Sequence, residues 1–215
     1  MTDQHRELDN LFGNNRRWAK ACCDKDPEYF SRLVAQQSPE YLWIGCSDSR
    51  VSANEIVGLA SGEIFVHRNV ANLVAHTDFN CLTVLQYAID VLKVKHVIVV
   101  GHYGCGGVKA AYESCDHGLI DNWLRNIKDV IHEYRPELDV LPNESTRINR
   151  ICELNVIRQV RNTACTTIVQ NAWSCGQPVS IHGWVYSLAD GLLHDLNCSM
   201  SKTDDLEPDY RIISS

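Results

Sequence analysis

The sequence predicts an α/β fold, in which a central and mainly parallel β-sheet is flanked by α-helices. Short, continuous apolar runs rich in β-branched residues occupy residues 41–45, 63–67 and 96–101. Such runs are typical of strands covered on both faces, as in a parallel sheet. Between the second and third runs, apolar residues recur at helical spacing. This alternation of strand and helix indicates a parallel arrangement of the strands.

The first elements are predicted to be helices. Between residues 8 and 22, apolar side chains recur at helical spacing with polar residues between them, which predicts an amphipathic helix. These side chains are Leu8, Leu11, Phe12, Trp18 and Cys22. A second short helix is expected over residues 29–37, and it stops there because Pro39 disfavours helical geometry in the residue before it. Residues 1–37 are therefore expected to form an N-terminal helical arm.

A helix is expected between the second and third strands. Thr77 or Asp78 can cap its N-terminus. Its apolar face is made of Leu82, Leu85, Ile89 and Leu92. This helix would serve as the crossover that two parallel strands require.

Helices are also predicted beyond the third strand. An amphipathic helix covers residues 120–131 and is broken near Pro136 and Pro142. A long helical stretch follows over residues 146–173, in two pieces. A last apolar run covers residues 179–186, and the pair Asp190-Gly191 predicts a turn after it. No element is predicted after Cys198.

Charge and composition exclude two classes of partner. The 215 residues carry a net charge of −7, with 27 acidic against 20 basic side chains and no basic run. The chain thus lacks the positive surface that a nucleic acid or an anionic membrane requires. No segment is apolar enough for a signal peptide or a membrane span, so we expect a cytoplasmic protein with reduced cysteines. Its length favours a single domain over residues 1–215.

Metal-binding side chains follow two of the predicted strands. Cys46, Asp48 and Arg50 occupy alternate positions at the end of the first strand, so their side chains share one face of an extended segment. His102 and Cys105 follow the third strand across a glycine-rich turn. Because ligands bind beyond the carboxyl ends of parallel strands, these groups can converge there. Two thiolates, an imidazole and a carboxylate suit tetrahedral zinc, and a Cys₂His site with one position open to water is a known catalytic arrangement.

The two motifs resemble those of a known enzyme family. Residues 46–50, Cys-Ser-Asp-Ser-Arg, and residues 102–107, His-Tyr-Gly-Cys-Gly-Gly, are similar to the two signature motifs of the β-class carbonic anhydrases. Residues 65–72 and 181–184 also look like that family. The resemblance covers nearly the whole chain, except the extreme N-terminus and the tail after Cys198. It implies reversible hydration of carbon dioxide to bicarbonate and a proton, with one Zn²⁺ per subunit.

The resemblance also implies roles for the motif residues. Cys46, His102 and Cys105 would hold the zinc, and zinc-bound hydroxide would attack carbon dioxide. Asp48 would have two states. It would ligate the zinc in a closed, resting site, or swing away to pair with Arg50 and orient the hydroxide through a hydrogen bond.

Further implications concern the pocket and the assembly. Gly106 and Gly107 would let backbone amides approach the substrate closely, and Tyr87 is a further candidate for lining the pocket. The family resemblance implies a homodimer, often doubled to a tetramer. The N-terminal helix would pack on a neighbouring subunit, and each active site would lie near the dimer interface.

Three more residues match a trio that forms a non-catalytic bicarbonate pocket in one subgroup of the family. They are Trp43, Arg68 and Tyr186. A guanidinium, a phenol hydroxyl and an indole N–H can cradle a small anion. An anion bound there would be coupled to the strand that carries Cys46 and Asp48. We hypothesise that bicarbonate favours the closed state and so inhibits the enzyme allosterically.

Other interpretations of these residues stay open. Residues 101–107 also suit a plain turn or a phosphate cradle, although they lack the Lys-Ser/Thr of a P-loop and the GxGxxG pattern. Without the family, Trp43, Tyr186 and Tyr87 are typical core residues. The same zinc site would also suit hydrolysis of another cumulated molecule such as carbon disulfide. A structural zinc in a binding or thiol-redox module is a further alternative, but a closed structural site has no need of Asp48 and Arg50.

Overall fold

The computed structural model describes residues 3–35, 37–113 and 115–212, without the side chains of residues 3–7. These residues form two compact units, one ending at residue 38 and one beginning at residue 39. No helix within the described ranges is long and apolar enough to cross a membrane.

The first unit contains the two predicted N-terminal helices, α1 (Asp3–Lys25) and α2 (Tyr29–Ala35). Trp18 of α1 packs edge-on against Phe30 of α2, with ring centroids 5.7 Å apart. The prediction of an amphipathic helix followed by a short one is confirmed. The predicted end of α2 includes Gln36, which lies outside the described residues.

The second unit is built on a five-stranded sheet in the order β2-β1-β3-β4-β5. Its strands are β1 (Tyr41–Cys46), β2 (Ile64–Asn69), β3 (His96–His102), β4 (Ser180–Tyr186) and β5 (Leu193–Asp195). The first four strands run parallel, and only β5 pairs antiparallel, with β4. The predicted α/β fold with a mainly parallel sheet is confirmed, and the short β5 is an addition to it.

The longer helices of this unit lie where the apolar periodicity predicts them. They are α4 (Phe79–Gln86), α6 (Ile120–Glu133), α8 (Glu144–Ala164) and α9 (Thr167–Ser174). Asp78, one of the two predicted caps, accepts a hydrogen bond from the Asn80 N–H at the start of α4. Beyond α4 the chain continues as a π-helical turn, Tyr87–Val91. The long stretch predicted over residues 146–173 is divided because the Thr166 side chain caps α9.

The described part of the unit also contains three short α-helices, α3 (Ala53–Val57), α5 (Gly106–Tyr112) and α7 (Arg135–Asp139), and the 3₁₀ helices Val70–Asn72, Thr203–Asp205 and Pro208–Tyr210. The helix α5 begins directly after Cys105, so the predicted glycine-rich turn is also a helix start. Pro136, predicted as a break, lies in the first turn of α7, where its missing N–H costs no helical hydrogen bond.

Side chains alternate between the two faces of the sheet, and both faces are covered. On one face Leu42, Ile44 and Val99 pack with the apolar residues of α4, α8 and α9. On the other face Trp43 and Val100 pack with residues in and around α3. Because β1 lies beside β3 and runs parallel to it, the carboxyl ends of these two strands are neighbours.

Candidate metal centre

The structure brings together the three predicted ligands that come from two strand ends. Cys46 is the last residue of β1, His102 is the last residue of β3, and Cys105 lies in the turn that follows. Their ligating atoms all lie within 4.8 Å of one another, and all three residues are buried. The parallel register, which pairs Gly45 with Val100, sets the two strand ends side by side.

The imidazole of His102 is oriented for metal binding. Its Nδ1 lies 3.1 Å from the Tyr103 carbonyl oxygen, so Nδ1 carries the proton and donates it. The Nε2 atom then carries a lone pair, and it is buried without a hydrogen-bond partner among the described residues. A buried acceptor without a partner is costly unless a ligand satisfies it. A hydrogen bond from the second ring nitrogen to a carbonyl is the usual arrangement of a metal-binding histidine.

The two thiols form a coupled pair. Their Sγ atoms lie 3.9 Å apart. The hydrogen bond from Cys105 lowers the pKa of the Cys46 thiol below its ordinary value, and the backbone amides of Asp48 and Ala71 add to this effect. The neighbouring Cys46 raises the pKa of Cys105 in turn. One thiolate therefore forms readily, and a dication would allow both, because a coordinating thiol is deprotonated. This donor set fits zinc.

Asp48 is paired with Arg50 in this structure. Arg50 donates from Nε to Oδ1 over 2.9 Å and from Nη2 to Oδ2 over 2.7 Å, and this bidentate pair holds the pKa of Asp48 well below its ordinary value. The Oδ2 atom is also 3.7 Å from His102 Nε2. The arrangement corresponds to the released state of Asp48, with the carboxylate beside the metal position rather than within the three-ligand group.

The three residues of the predicted anion pocket lie close to this centre. Trp43 is buried on the opposite face of β1 from Cys46, and Tyr186 packs against the same apolar cluster as Trp43. Arg68 donates from Nε to the Cys46 carbonyl over 2.8 Å, and from Nη2 to the Asp48 carbonyl. The Arg68 guanidinium therefore holds the backbone of Cys46, which supplies a thiol, and of Asp48, which supplies the carboxylate.

The other predicted pocket residues have different surroundings. Tyr87 is 41% exposed, and its ring lies 5.8 Å from the Phe65 ring. A Cβ on Gly106 would meet nothing within 4 Å, whereas one on Gly107 would lie 2.9 Å from Val70 Cγ1. The close contact at Gly107 is therefore with Val70 of the same chain.

A turn that the sequence did not reveal lies against the centre. Ala71 and Asn72 are consecutive residues with positive φ, 64° and 50°, and both are buried. The Asn69 side chain brackets this turn by accepting from Leu73 N–H and donating to its carbonyl. Asparagine adopts a positive φ more often than most residues, so Asn72 is a weak sequence signal for this turn. Alanine has no such preference, so Ala71 gives no signal.

A second group of possible ligands consists of His67, Asp78 and Cys81, whose ligating atoms also lie within 4.8 Å of one another. The Asn69 amide nitrogen lies 3.2 Å from His67 Nε2, and its orientation is set by its two bonds to Leu73. It therefore donates to Nε2, which is thereby occupied. Burial raises the pKa of Cys81 to about 12. His67 is therefore held as a neutral imidazole, and Cys81 as a neutral thiol.

Comparison with known proteins identifies relatives. A family profile described as carbonic anhydrase matches residues 41–193. A carbonic anhydrase of Emericella nidulans is 52% identical over 190 residues, which are 88% of this chain and 83% of the relative. The β-carbonic anhydrase of Coccomyxa, solved with acetazolamide, superposes with a TM-score of 0.88 at 42% identity, over 92% of this chain and 90% of that one. A tetrameric β-carbonic anhydrase of Sordaria macrospora gives 0.86 at 35% identity, over 91% and 99%.

Proposed function

This chain belongs to the β-class carbonic anhydrase family and is a carbonic anhydrase, and from that premise we propose that it works at a zinc ion held by Cys46, His102 and Cys105. The observation that carries the proposal is the buried lone pair of His102 Nε2 beside two coupled thiols. When bound, zinc would supply the Lewis acidity that lowers the pKa of a water molecule, so that the water releases a proton to solvent and its deprotonated form can attack carbon dioxide.

The residues around the ligands prepare this site. Arg50 keeps Asp48 ionised and fixes its orientation through two hydrogen bonds. We propose that Asp48 accepts a hydrogen bond from the attacking water and so directs its lone pair toward carbon dioxide. The Arg50–Gly104 contact, 3.5 Å from Nη2 to the carbonyl oxygen, links this pair to the loop between His102 and Cys105.

One experiment tests this function. Stopped-flow hydration of carbon dioxide should be measured from about pH 6 to about pH 9 with the metal content of the same sample. We expect zinc-loaded protein to be active, with the rate rising toward alkaline pH because two thiolates make the coordinated water less acidic. The variant Cys46→Ala should lose both zinc and activity. Zinc-loaded protein without hydration activity at any pH in this range would contradict the proposal.

We further propose that bicarbonate inhibits the enzyme by binding at Trp43, Arg68 and Tyr186. An anion at Arg68 would compete with the Cys46 and Asp48 carbonyls for the guanidinium. Released from Arg68, this backbone could move Asp48 away from Arg50 and toward the metal. Trp43→Phe removes the indole N–H and should weaken inhibition by added bicarbonate. Equal inhibition of both proteins, beyond simple product inhibition, would contradict this regulation.

We propose a homodimer that can pair into a tetramer. Within the described residues β2 has a neighbour on one side only, and apolar side chains are exposed on and beside it. These side chains are Val66, Phe79, Tyr87 and Val91. Sedimentation equilibrium should show a dimer or tetramer, and a monomer at micromolar concentration would contradict the proposal. The cytoplasmic location also stays a proposal, and fractionation of cells expressing the tagged chain tests it.

A further inference from the structure

The turn Val70–Asn72 adopts a conformation that its sequence does not favour. Ala71 has φ 64° and ψ 29°, and Asn72 follows with φ 50°. A side chain with a Cβ is strained in this left-handed region, and two such residues in succession persist only where the surrounding structure holds them. Ala71 is 0% exposed, so solvent does not hold this turn.

Side chains from the helices hold it instead. Asn155 of α8, which is 1% exposed, donates from Nδ2 to the Ala71 carbonyl over 2.9 Å. Trp123 of α6 donates from Nε1 to the Val70 carbonyl over 2.8 Å. Each of these bonds reaches from a helix more than fifty residues away in the chain.

The orientation of the Asn155 amide is itself determined. Gln159 Oε1 accepts from the Val74 N–H over 2.9 Å, so the Nε2 end of Gln159 must be its donor. That Nε2 donates to Asn155 Oδ1 over 2.9 Å. The Nδ2 of Asn155 therefore faces Ala71, and the two buried amides form one fully paired chain from α8 to the turn.

The turn Val70–Asn72 also contacts the two segments that carry the thiols of Cys46 and Cys105. The Ala71 side chain belongs to the same buried cluster as Cys46 and Cys105. Ser47 N–H donates to the Asn69 carbonyl over 2.8 Å. A Cβ on Gly107 would lie 3.2 Å from the Ala71 Cβ, so the start of α5 rests directly on this residue. The turn thus packs against both the segment after Cys46 and the helix start after Cys105.

We propose that Asn155 is a positioning residue for the metal centre. By holding the Ala71 carbonyl it keeps the left-handed turn in place, and the turn keeps the two thiols at the separation that one zinc ion requires. Asn155 touches neither zinc nor substrate. This inference rests on the proposed zinc site and extends it to a residue of α8.

The test compares two substitutions within α8. Asn155→Leu keeps the size of the side chain and removes its donor, and Thr163→Val is the matched control. Thr163 is also buried, but its hydroxyl donates to the Gln159 carbonyl of its own helix over 2.7 Å and does not reach the turn. Zinc affinity is measured by competition with a chelator. The cobalt-substituted protein reports thiolate ligation through its sulfur-to-cobalt charge-transfer band.

We expect Asn155→Leu to weaken zinc binding by about 10- to 100-fold and to shift the charge-transfer band, with Thr163→Val close to wild type. Ala71→Gly, which adopts the left-handed conformation without strain, should recover part of the loss when combined with Asn155→Leu. Should Asn155→Leu not fold, the smaller change Asn155→Ser is used with the same expectation.

Different results would exclude the positioning role of Asn155 and the zinc site itself. Equal zinc affinity and an equal band in the Asn155 variants and the Thr163→Val control would exclude the positioning role and leave the zinc site standing. Wild-type protein that binds no zinc would exclude the proposed function and this inference together.

Discussion

Residues of one type behave differently according to their surroundings, as the thiols show. All ten cysteines lie in the described ranges and are free thiols. Burial, helped by a nearby carboxylate, raises the pKa of Cys81 to about 12 and that of Cys198 to about 11, because a thiolate is poorly solvated there. Cys46 is also buried, yet a second thiol and two backbone amides lower its pKa. Neighbouring groups rather than burial therefore decide in which direction the pKa of a buried cysteine shifts.

The Asp48–Arg50 pair leads to the first prediction. Arg50→Gln removes the bidentate hold on Asp48, so the carboxylate is free to occupy the open zinc position. We expect kcat/KM for hydration to fall by about a hundredfold or more, with zinc content unchanged. Arg32→Gln, which breaks the exposed pair with Asp26, is the control and should leave activity intact. An Arg50→Gln enzyme with wild-type kcat/KM would show that the pair is not needed.

A pair of imidazoles leads to the second prediction. His96 Nδ1 lies 3.1 Å from His182 Nε2, and burial followed by the charge of His96 lowers the pKa of His182 below 6.5. As pH falls, the unfolded chain takes up this proton before the folded one, so folding stability is lost below about pH 6.5. Urea unfolding at two pH values should show a smaller loss for His182→Gln than for wild type, while the exposed His117→Gln behaves as wild type. An equal loss of stability between the two pH values in wild type, His182→Gln and His117→Gln would contradict this prediction.

Among the elements, the strands agree best with the sequence. The apolar runs at residues 41–45 and 96–101 predict β1 and β3 to within one residue, because continuous burial on both faces leaves a continuous apolar run. The short helices α3, α5 and α7 were not predicted. Each has five to seven residues, which is too few turns for apolar periodicity to show.

The polar residues of α8 show a second limit of sequence reasoning. Asn155 and Gln159 are four residues apart, a spacing that would equally suit a solvated face of the helix. The structure buries both, and their partners are backbone groups of a distant turn. Only the fold brings these groups together, so local periodicity carries no sign of them.

The start of α5 leads to the third prediction. Gly107→Ala places a Cβ 2.9 Å from Val70 Cγ1 and 3.2 Å from Ala71 Cβ, so one of the elements must shift. We expect a loss of about 1–3 kcal/mol in the free energy of unfolding, measured in urea. Gly106→Ala is the matched control, because its Cβ meets nothing within 4 Å, and its stability should stay near wild type. Equal stability of the two variants would contradict the packing described.

In the molecule as a whole, the strand order of the sheet determines where the site lies. The order β2-β1-β3-β4-β5 places the ends of β1 and β3 side by side, which unites ligands that lie 59 residues apart in the chain. The motifs predict this convergence, since the carboxyl ends of parallel strands form one edge. The chain divides into two compact units after residue 38, and the sequence predicts a helical arm over residues 1–37.

The fourth prediction concerns zinc and the stability of the fold. A zinc ion held by the folded site and not by the unfolded chain would stabilise the fold, so free zinc a thousandfold above its dissociation constant should raise the free energy of unfolding by about 4 kcal/mol. Thermal unfolding should therefore begin at a lower temperature after chelation. The Cys46→Ala variant serves as the control, and its midpoint should not respond to zinc. A wild-type midpoint that is insensitive to zinc would contradict a metal centre coupled to folding.

X-ray absorption at the zinc edge of metal-loaded protein counts the ligands of the ion and identifies their elements. We predict one zinc per chain, with two sulfur atoms at about 2.3 Å and one nitrogen at about 2.0 Å, the remaining position being filled by oxygen. Cys46→Ala, which should bind no zinc, should give no zinc–sulfur shell. A shell without sulfur, or one of four sulfur atoms, would contradict a centre made by Cys46, His102 and Cys105.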